Sequence, residues 1–404
     1  MRLVVNEQLQ RENFVNATPT PTESLNTIDT PFLAVDKTRF QANIARMRTY
    51  LQPFEVRLRP HLKTVKSVPA AELVMASKQD PATVSTLKEA EAFAEAGYTD
   101  LLYAVGISPQ KLPRVLALQR TGVNISILLD SREQAEMVIA FCRENDANIP
   151  VYIEVDCDGH RAGLPADDPE LVAIGRLLHE AGVEVRGVMS HSGGAYDCDT
   201  PEQLATAAEQ ERRAAVAAAQ ALRKAGVACP EVSVGSTPAA LSYTHLEGVT
   251  EVRAGVYTFF DLVMVGIGVC KLDEIALSVV TTVTGHNKAK GWFFVDAGWS
   301  ALSRDRGTAE QKVDQRYGVV CDEQGRVIDG LLVSAVNQEH GVLSMREGLS
   351  MREGCREALP DLPIGTRLRI LPNHACATAG QFLHYHVLDG ANQLLAIWPR
   401  IQGW

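Results

Sequence analysis

No CxxC pair, no basic run with interleaved aromatics and no long apolar run occurs in this chain. Each absence excludes a class. Eight cysteines are present, at irregular spacing (Cys142, Cys157, Cys198, Cys229, Cys270, Cys321, Cys355 and Cys376), which is not a disulfide framework and fits a reducing compartment. A membrane helix needs roughly 18–20 apolar residues, and no run approaches that length. The first residues, MRLVVNEQLQREN, lack the apolar core of a signal peptide. A cytoplasmic location without membrane attachment is the expectation. A formal net charge of −10 disfavours nucleic acid as a partner. No GxGxxG follows the first strand, so a Rossmann dinucleotide site has no support.

What is present is ordinary globular material: 404 residues, 46% hydrophobic and 22% charged. Residues 1–28 end in NATPTPTESLNT and read as an arm that could pair with a distant sheet. From Pro31 a rhythm begins. Strand-like segments at 31–36, 56–61, 82–86, 100–105, 124–129, 151–156, 185–190 and 231–235 alternate with helical patterns, the clearest at 202–225. Eight short apolar strands separated by helices predict a (β/α)8 TIM barrel over residues 29–264. Beyond that the rhythm changes. Segments at 275–285, 291–297, 330–336, 367–371, 384–388 and 393–398 predict a mostly β domain over residues 265–404.

Polar residues that follow the barrel strands collect at one end, where barrel enzymes place their sites. Lys63 in RLRPHLKTVK stands where a strand gives way to a loop. It is either a solvated surface lysine or a partly desolvated amine able to attack a carbonyl. Arg161 follows the 151–156 strand and His191 the 185–190 strand. Gly235, Ser236 and Thr237 offer amides and hydroxyls to an anion, and the turn Gly255-Val256-Tyr257 could add more; each can also be a plain turn. A rim lysine together with a phosphate-type cradle points to pyridoxal 5′-phosphate. In PNHAC, His374 and Cys376 at i and i+2 on an extended segment would face one side and bind one metal, or else be an ordinary histidine and a buried cysteine. His384 and His386 form another same-face pair, read as structural. Glu339 and His340 are either outer partners of a metal or substrate, or a turn. Asp296 is similarly open.

TPFLAVD, RPHLKTVK, VSTLKEAEAFAEAG, GVMSHSGGAY, VSVGSTP, EVRAGVYTFFD, VDAGWSALSRD, NQEHG and PNHAC, in this order over about residues 29–404, resemble the D-serine dehydratase/D-threonine aldolase family, of alanine racemase-like fold. Val65 stands where the family commonly has histidine, and Gly194 where relatives carry a bulkier or polar residue. The resemblance implies that Lys63 forms the Schiff base with pyridoxal phosphate and serves as catalytic base. It places Arg161 by the ring oxygen and His191, a second catalytic candidate, against the ring. Ser236, Thr237, Gly255, Val256 and Tyr257 would hold the phosphate, and His374 and Cys376 a divalent metal. Zinc is favoured by the soft pair, with manganese or magnesium the alternatives. The implied activity is a lyase acting on a D-β-hydroxy amino acid, D-serine dehydratase-like. Alternatives are D-threonine aldolase-like cleavage, an amino-acid racemase, or a non-catalytic cofactor carrier. A homodimer is expected.

Overall fold

The computed structural model describes residues 25–346 and 360–404. Most of the arm expected over residues 1–28 lies outside the described residues, as does Cys355. The other seven cysteines are free. No helix among the described residues is long and apolar enough to cross a membrane.

The chain opens with β1 (Phe32–Asp36) and α1 (Lys37–Leu51). Then follow β2 (Arg57–Pro60), α2 (Val68–Val74), β3 (Pro81–Val84), α3 (Leu87–Glu95), β4 (Asp100–Gly106) and α4 (Leu112–Arg120). The alternation continues through β5 (Asn124–Leu129), α5 (Arg132–Asn145), β6 (Val151–Asp156), the two-residue β7 (Leu164–Pro165) and α6 (Pro169–Glu180). It ends with β8 (Val185–Ser190), α7 (Pro201–Lys224), β9 (Glu231–Val234), α8 (Thr237–Ala240) and β10 (Glu251–Ala254). The helices start where a side chain satisfies the first free amides: Asp36, Thr86, Ser131, Asp168 and Thr200 each accept from a backbone N–H of the first turn.

Eight parallel strands run in the order β2-β10-β9-β8-β6-β5-β4-β3, and a bridge between His61 and Thr83 links β2 back to β3. The expected barrel is therefore present, with two changes of membership. β1, expected as its first strand, pairs instead with two strands of the second sheet. β10, which the sequence reading left unassigned, supplies the eighth. The barrel interior explains the omission. Glu251 and Arg253 of β10 are both buried inside it. Arg59 Nε donates to Glu251 at 2.8 Å, Arg59 Nη1 to Asp100 at 2.9 Å, and Ser233 Oγ to Glu251 at 2.6 Å. Charges buried in mutual pairs are tolerated there, but they erase the apolar signature of a strand.

After β10 come α9 (Leu262–Gly266), β11 (Leu277–Asn287), β12 (Trp292–Val295), α10 (Trp299–Leu302), β13 (Val319–Asp322), β14 (Val327–Val336) and β15 (Gly341–Met345). β16 (Arg367–Leu371), α11 (Ala375–Ala379), β17 (His384–Leu388) and β18 (Leu394–Pro399) complete the order. The second sheet runs β12-β15-β14-β13-β16-β11-β1-β17-β18, and β12 also pairs with β11, so six strands close into a ring. β1 lies antiparallel to β11 and parallel to β17. Its residues Phe32, Leu33, Ala34 and Val35 are all buried. The two layers meet closely: Leu262 N donates to Pro372 O at 3.1 Å and Val263 N to Asn373 O at 3.2 Å.

Candidate active site

A cavity of about 650 Å3 opens at the C-terminal ends of the barrel strands, against the second sheet. Lys63, Arg161, His191, Ser236, Thr237, Gly255, Val256, His374 and Cys376 all line it. Tyr257 does not. Its side chain is fully buried, and its backbone N–H donates to Thr237 Oγ1 at 3.2 Å, so it joins the two turns from behind.

Lys63 stands in the tight turn after β2. Lys66 N donates to Leu62 O at 2.8 Å, and Leu62, Thr64 and Val65 are buried. Those anchors leave Lys63 to extend into the cavity. Water reaches the amine there, but protein surrounds it otherwise, and this burial lowers its pKa. Arg161 and Arg253 push the same way, while Cys376 and Glu89 oppose them. A larger fraction of neutral, nucleophilic amine is the result.

The cradle is built from glycine where only glycine fits. Gly235 has φ of +130°, and a Cβ there would lie 2.2 Å from Arg253 O. A Cβ on Gly255 would lie 2.6 Å from Thr64 Oγ1, so the second turn sits directly against the lysine turn. Glu211 of α7 holds the strand ends from below. It accepts from Gly235 N at 2.8 Å, Ser192 N at 3.1 Å and the Tyr243 hydroxyl at 2.6 Å. His191 Nδ1 is 3.2 Å from Gly235 O, a carbonyl that can only accept, so the proton sits on Nδ1. Burial, reinforced by Arg161, Lys63 and Arg253, pushes the His191 pKa down to about 3 and keeps the ring neutral. Arg161 lies in the loop after β6, its side chain 58% exposed, with its guanidinium 3.5 Å from Glu154.

His374 and Cys376 converge, though by a different route from the extended segment expected. His374 caps α11 and Cys376 lies in the first turn of that helix. His374 Nδ1 is 2.7 Å from Asp305 Oδ2, which leaves Nε2 as the ring atom available to a metal. Burial works against a charged His374, but hydrogen bonds with Asp305 and Cys376 outweigh it and hold its pKa at about 11. The same contact lowers the Cys376 pKa against the effect of burial. Each group thus favours the charged form of the other, and the two are the donors that would hold a divalent cation. Among the described residues no group of three His, Cys, Asp or Glu is placed to hold a metal, so this pair leaves open positions.

Several candidates lie elsewhere. Glu339 and His340 are exposed in the turn before β15 and do not line the cavity; Glu339 accepts from Ser300 Oγ at 3.3 Å. His384 and His386 lie on β17 away from it, with the His386 ring 4.7 Å from Phe32. Asp296 accepts from the Thr30, Thr281 and Thr282 groups that fix the entry to β1. Conversely, His61, Thr64, Glu154, Tyr196, Arg253, Asp261 and Asp305 line the cavity and were not singled out. Asp305 was within reach of the sequence reading: it ends the motif VDAGWSALSRD, whose first aspartate drew the attention instead.

The description "Alanine racemase, N-terminal domain" matches residues 35–263, and "Putative serine dehydratase domain" matches residues 276–388. D-threo-3-hydroxyaspartate dehydratase of Delftia sp. (strain HT23) is 53% identical over 385 residues, covering 95% of this chain and all of that one (100%). The chain belongs to the D-serine dehydratase/D-threonine aldolase family. D-threonine aldolase of Arthrobacter sp. is 30% identical over 366 residues, 89% of this chain and 88% of that one. Among solved structures, a cysteine-to-alanine variant of D-threo-3-hydroxyaspartate dehydratase in the metal-free form superposes with a TM-score of 0.89. It is 52% identical, covering 95% of this chain and 100% of that one. As a member of this family with an alanine racemase-like fold, the chain is a pyridoxal phosphate-dependent lyase. The cavity fits that cofactor on its own terms. A lysine of lowered pKa faces an anion cradle whose glycines admit no side chain, beside a neutral imidazole.

Proposed function

We propose that this enzyme dehydrates D-β-hydroxy amino acids to a 2-oxo acid and ammonia, with D-threo-3-hydroxyaspartate the preferred substrate and zinc the preferred metal. The observation that carries this reading is the meeting of Lys63 with the His374/Cys376 pair in one cavity. An α-proton and a β-hydroxyl must leave from neighbouring carbons, and these groups stand where both can be served. The 53% identity to a dehydratase of that substrate favours dehydration over carbon–carbon cleavage. A thiolate and an imidazole favour zinc among divalent ions.

When bound, pyridoxal phosphate supplies a sink for the electron pair left at the α-carbon, and the metal supplies Lewis-acid pull on the β-hydroxyl. Lys63 would hold the cofactor, and its free amine is the group placed to take the α-proton at Nζ. Its lowered pKa raises the share of amine free to accept that proton. Ser236, Thr237 and the amides of Gly255 and Val256 hold the phosphate. Tyr257 supports the cradle through its backbone rather than its side chain. His191, with Nδ1–H committed to Gly235 O, presents a neutral face to the cofactor ring. Arg161, in the loop after β6, would sit by the ring oxygen. Asp305 fixes the tautomer and direction of His374. A homodimer in the cytoplasm is part of the same reading, supported by the family resemblance and by the free, scattered cysteines. Sedimentation of the holoenzyme tests the dimer.

The chemistry is tested by product analysis of the chelator-treated holoenzyme with zinc or manganese restored. D-threo-3-hydroxyaspartate, D-serine and D-threonine are offered in turn. Metal-dependent 2-oxo acid and ammonia are expected, fastest with hydroxyaspartate. Glycine and an aldehyde would replace this reading with the aldolase one.

A further inference from the structure

The turn that presents Lys63 is held from behind by the second sheet. Tyr385 of β17 is wholly buried. Its hydroxyl donates to Val65 O at 2.8 Å and lies 3.4 Å from Thr64 O. Arg400 Nε donates to the same hydroxyl at 2.9 Å, and Arg400 Nη1 donates to Phe382 O at 3.0 Å. A guanidinium has no acceptor, so the single phenolic proton is committed to the turn. One residue beyond Arg400, Ile401 N donates to Lys66 O at 2.5 Å. The carbonyls of residues 64, 65 and 66 are therefore all met by one corner of the second sheet.

The other side of the turn is held as well. Lys66 Nζ is 3.1 Å from the buried carboxylate of Glu89, whose oxygens also accept from Ser85 N and Thr86 Oγ1. Thr64 Oγ1 is 3.4 Å from Cys376 Sγ. Lys66 itself sits at φ of +41°, a conformation that a lysine keeps only where its surroundings impose it. Between these anchors Lys63 reaches into the cavity, with Thr64 beside it in the lining.

Packing does not explain the hydroxyl. Tyr385 packs against Phe259, 5.5 Å away between ring centroids, where a phenylalanine ring would fit equally but would leave Val65 O and Arg400 Nε without their partner. We propose that Tyr385 is a positioning residue for the reaction: its proton fixes the turn that aims Lys63 at the cofactor and, through Thr64, sets the Cys376 sulfur for the metal. This rests on Lys63 and Cys376 having the roles given above. A single hydroxyl from the second sheet then governs both halves of the site without touching the substrate.

The test is Tyr385→Phe in the full chain, with three readouts besides thermal stability. These are the visible absorbance and retention of the lysine-bound cofactor, zinc affinity against a chromophoric chelator, and kcat and KM separately. Losing an outer hydrogen bond of this kind is expected to lower zinc affinity about 10-fold and kcat by about 10–100-fold, with KM within about 3-fold. Faster loss of the cofactor and a shifted absorbance band are expected with it. A variant that melts earlier but keeps the wild-type band, zinc affinity and kcat would reduce Tyr385 to packing and overturn the inference. If Tyr385→Phe does not fold, Arg400→Lys leaves the phenol in place and loosens its hold. The same changes are expected there at smaller size, and wild-type values would overturn the inference equally. A wild-type chain showing no lysine-bound cofactor, or no zinc binding that depends on Cys376, would overturn the roles and the inference together.

Discussion

Lys63, His191 and His374 show how far one cavity drives ionisable groups apart. Burial lowers the amine and the first imidazole, while Asp305 and Cys376 lift the second imidazole to about 11. His191 has a consequence for stability. Its folded pKa is about 3, against about 6.5 for an unfolded histidine. As pH falls, the unfolded chain takes up the proton first, so the contribution is complete above about 6.5 and drains away toward 3. Urea midpoints of the cofactor-free chain, measured between pH 7 and pH 4.5, should fall further for wild type than for His191→Asn. Equal falls would mean the ring is not held neutral. At the metal pair, Asp305→Ala removes the acceptor that orients His374, and zinc affinity should drop about 10–100-fold by chelator competition. Unchanged affinity would separate Asp305 from the metal. Lys63, His374 and Cys376 were legible in the sequence because their chemistry is written in short motifs. Tyr196 and Asp305 were harder to pick out, because each ends a motif, SHSGGAY and VDAGWSALSRD, whose earlier histidine and aspartate carry the more obvious chemistry.

Turns and strands tell a similar story at the next scale. The turn after β9 depends on Gly235, where φ of +130° and a Cβ only 2.2 Å from Arg253 O leave no room for substitution. Gly235→Ala should cost about 3 kcal/mol or more in urea unfolding and weaken cofactor binding. A stable variant with normal cofactor affinity would show that the turn yields at little cost. The strands of the barrel were readable where apolar residues dominate, as in β4, β5 and β6. β10 was not, because Glu251 and Arg253 face buried partners on β2 and β9. β1 was recognised as a strand but assigned to the wrong sheet. FLAVD announces burial on both faces, and it contains no mark of partners some 240 and 350 residues further along the chain. The six-strand ring was likewise only partly visible: β13 and β15 are short, and their pairings are set by neighbours rather than by their own pattern.

For the molecule as a whole, the site exists only where two architectures are pressed together. The cradle and Lys63 come from the barrel, while His374, Cys376 and Asp305 come from the second layer. Backbone contacts at Leu262, Val263 and Ile401 cross between them, and β1, which precedes the barrel strands in sequence, lies inside the second sheet. Such interlocking predicts that neither part melts alone. All four tryptophans, Trp292, Trp299, Trp398 and Trp404, lie beyond residue 290, so their fluorescence reports the second layer, whereas helical circular dichroism reports chiefly the barrel. The two signals should lose structure at one denaturant concentration, in a single transition. Two separated midpoints would make the layers independent.

The placement of β1 also bears on how the protein is born. A ribosome delivers Phe32–Asp36 well before its neighbours on either side, β11 and β17, the second of which ends only at Leu388. Translation at about 5–20 residues per second leaves this sticky segment without its mates for tens of seconds. The nascent barrel must grow while β1 waits beside it, and completion of the second sheet becomes the step that seats this strand.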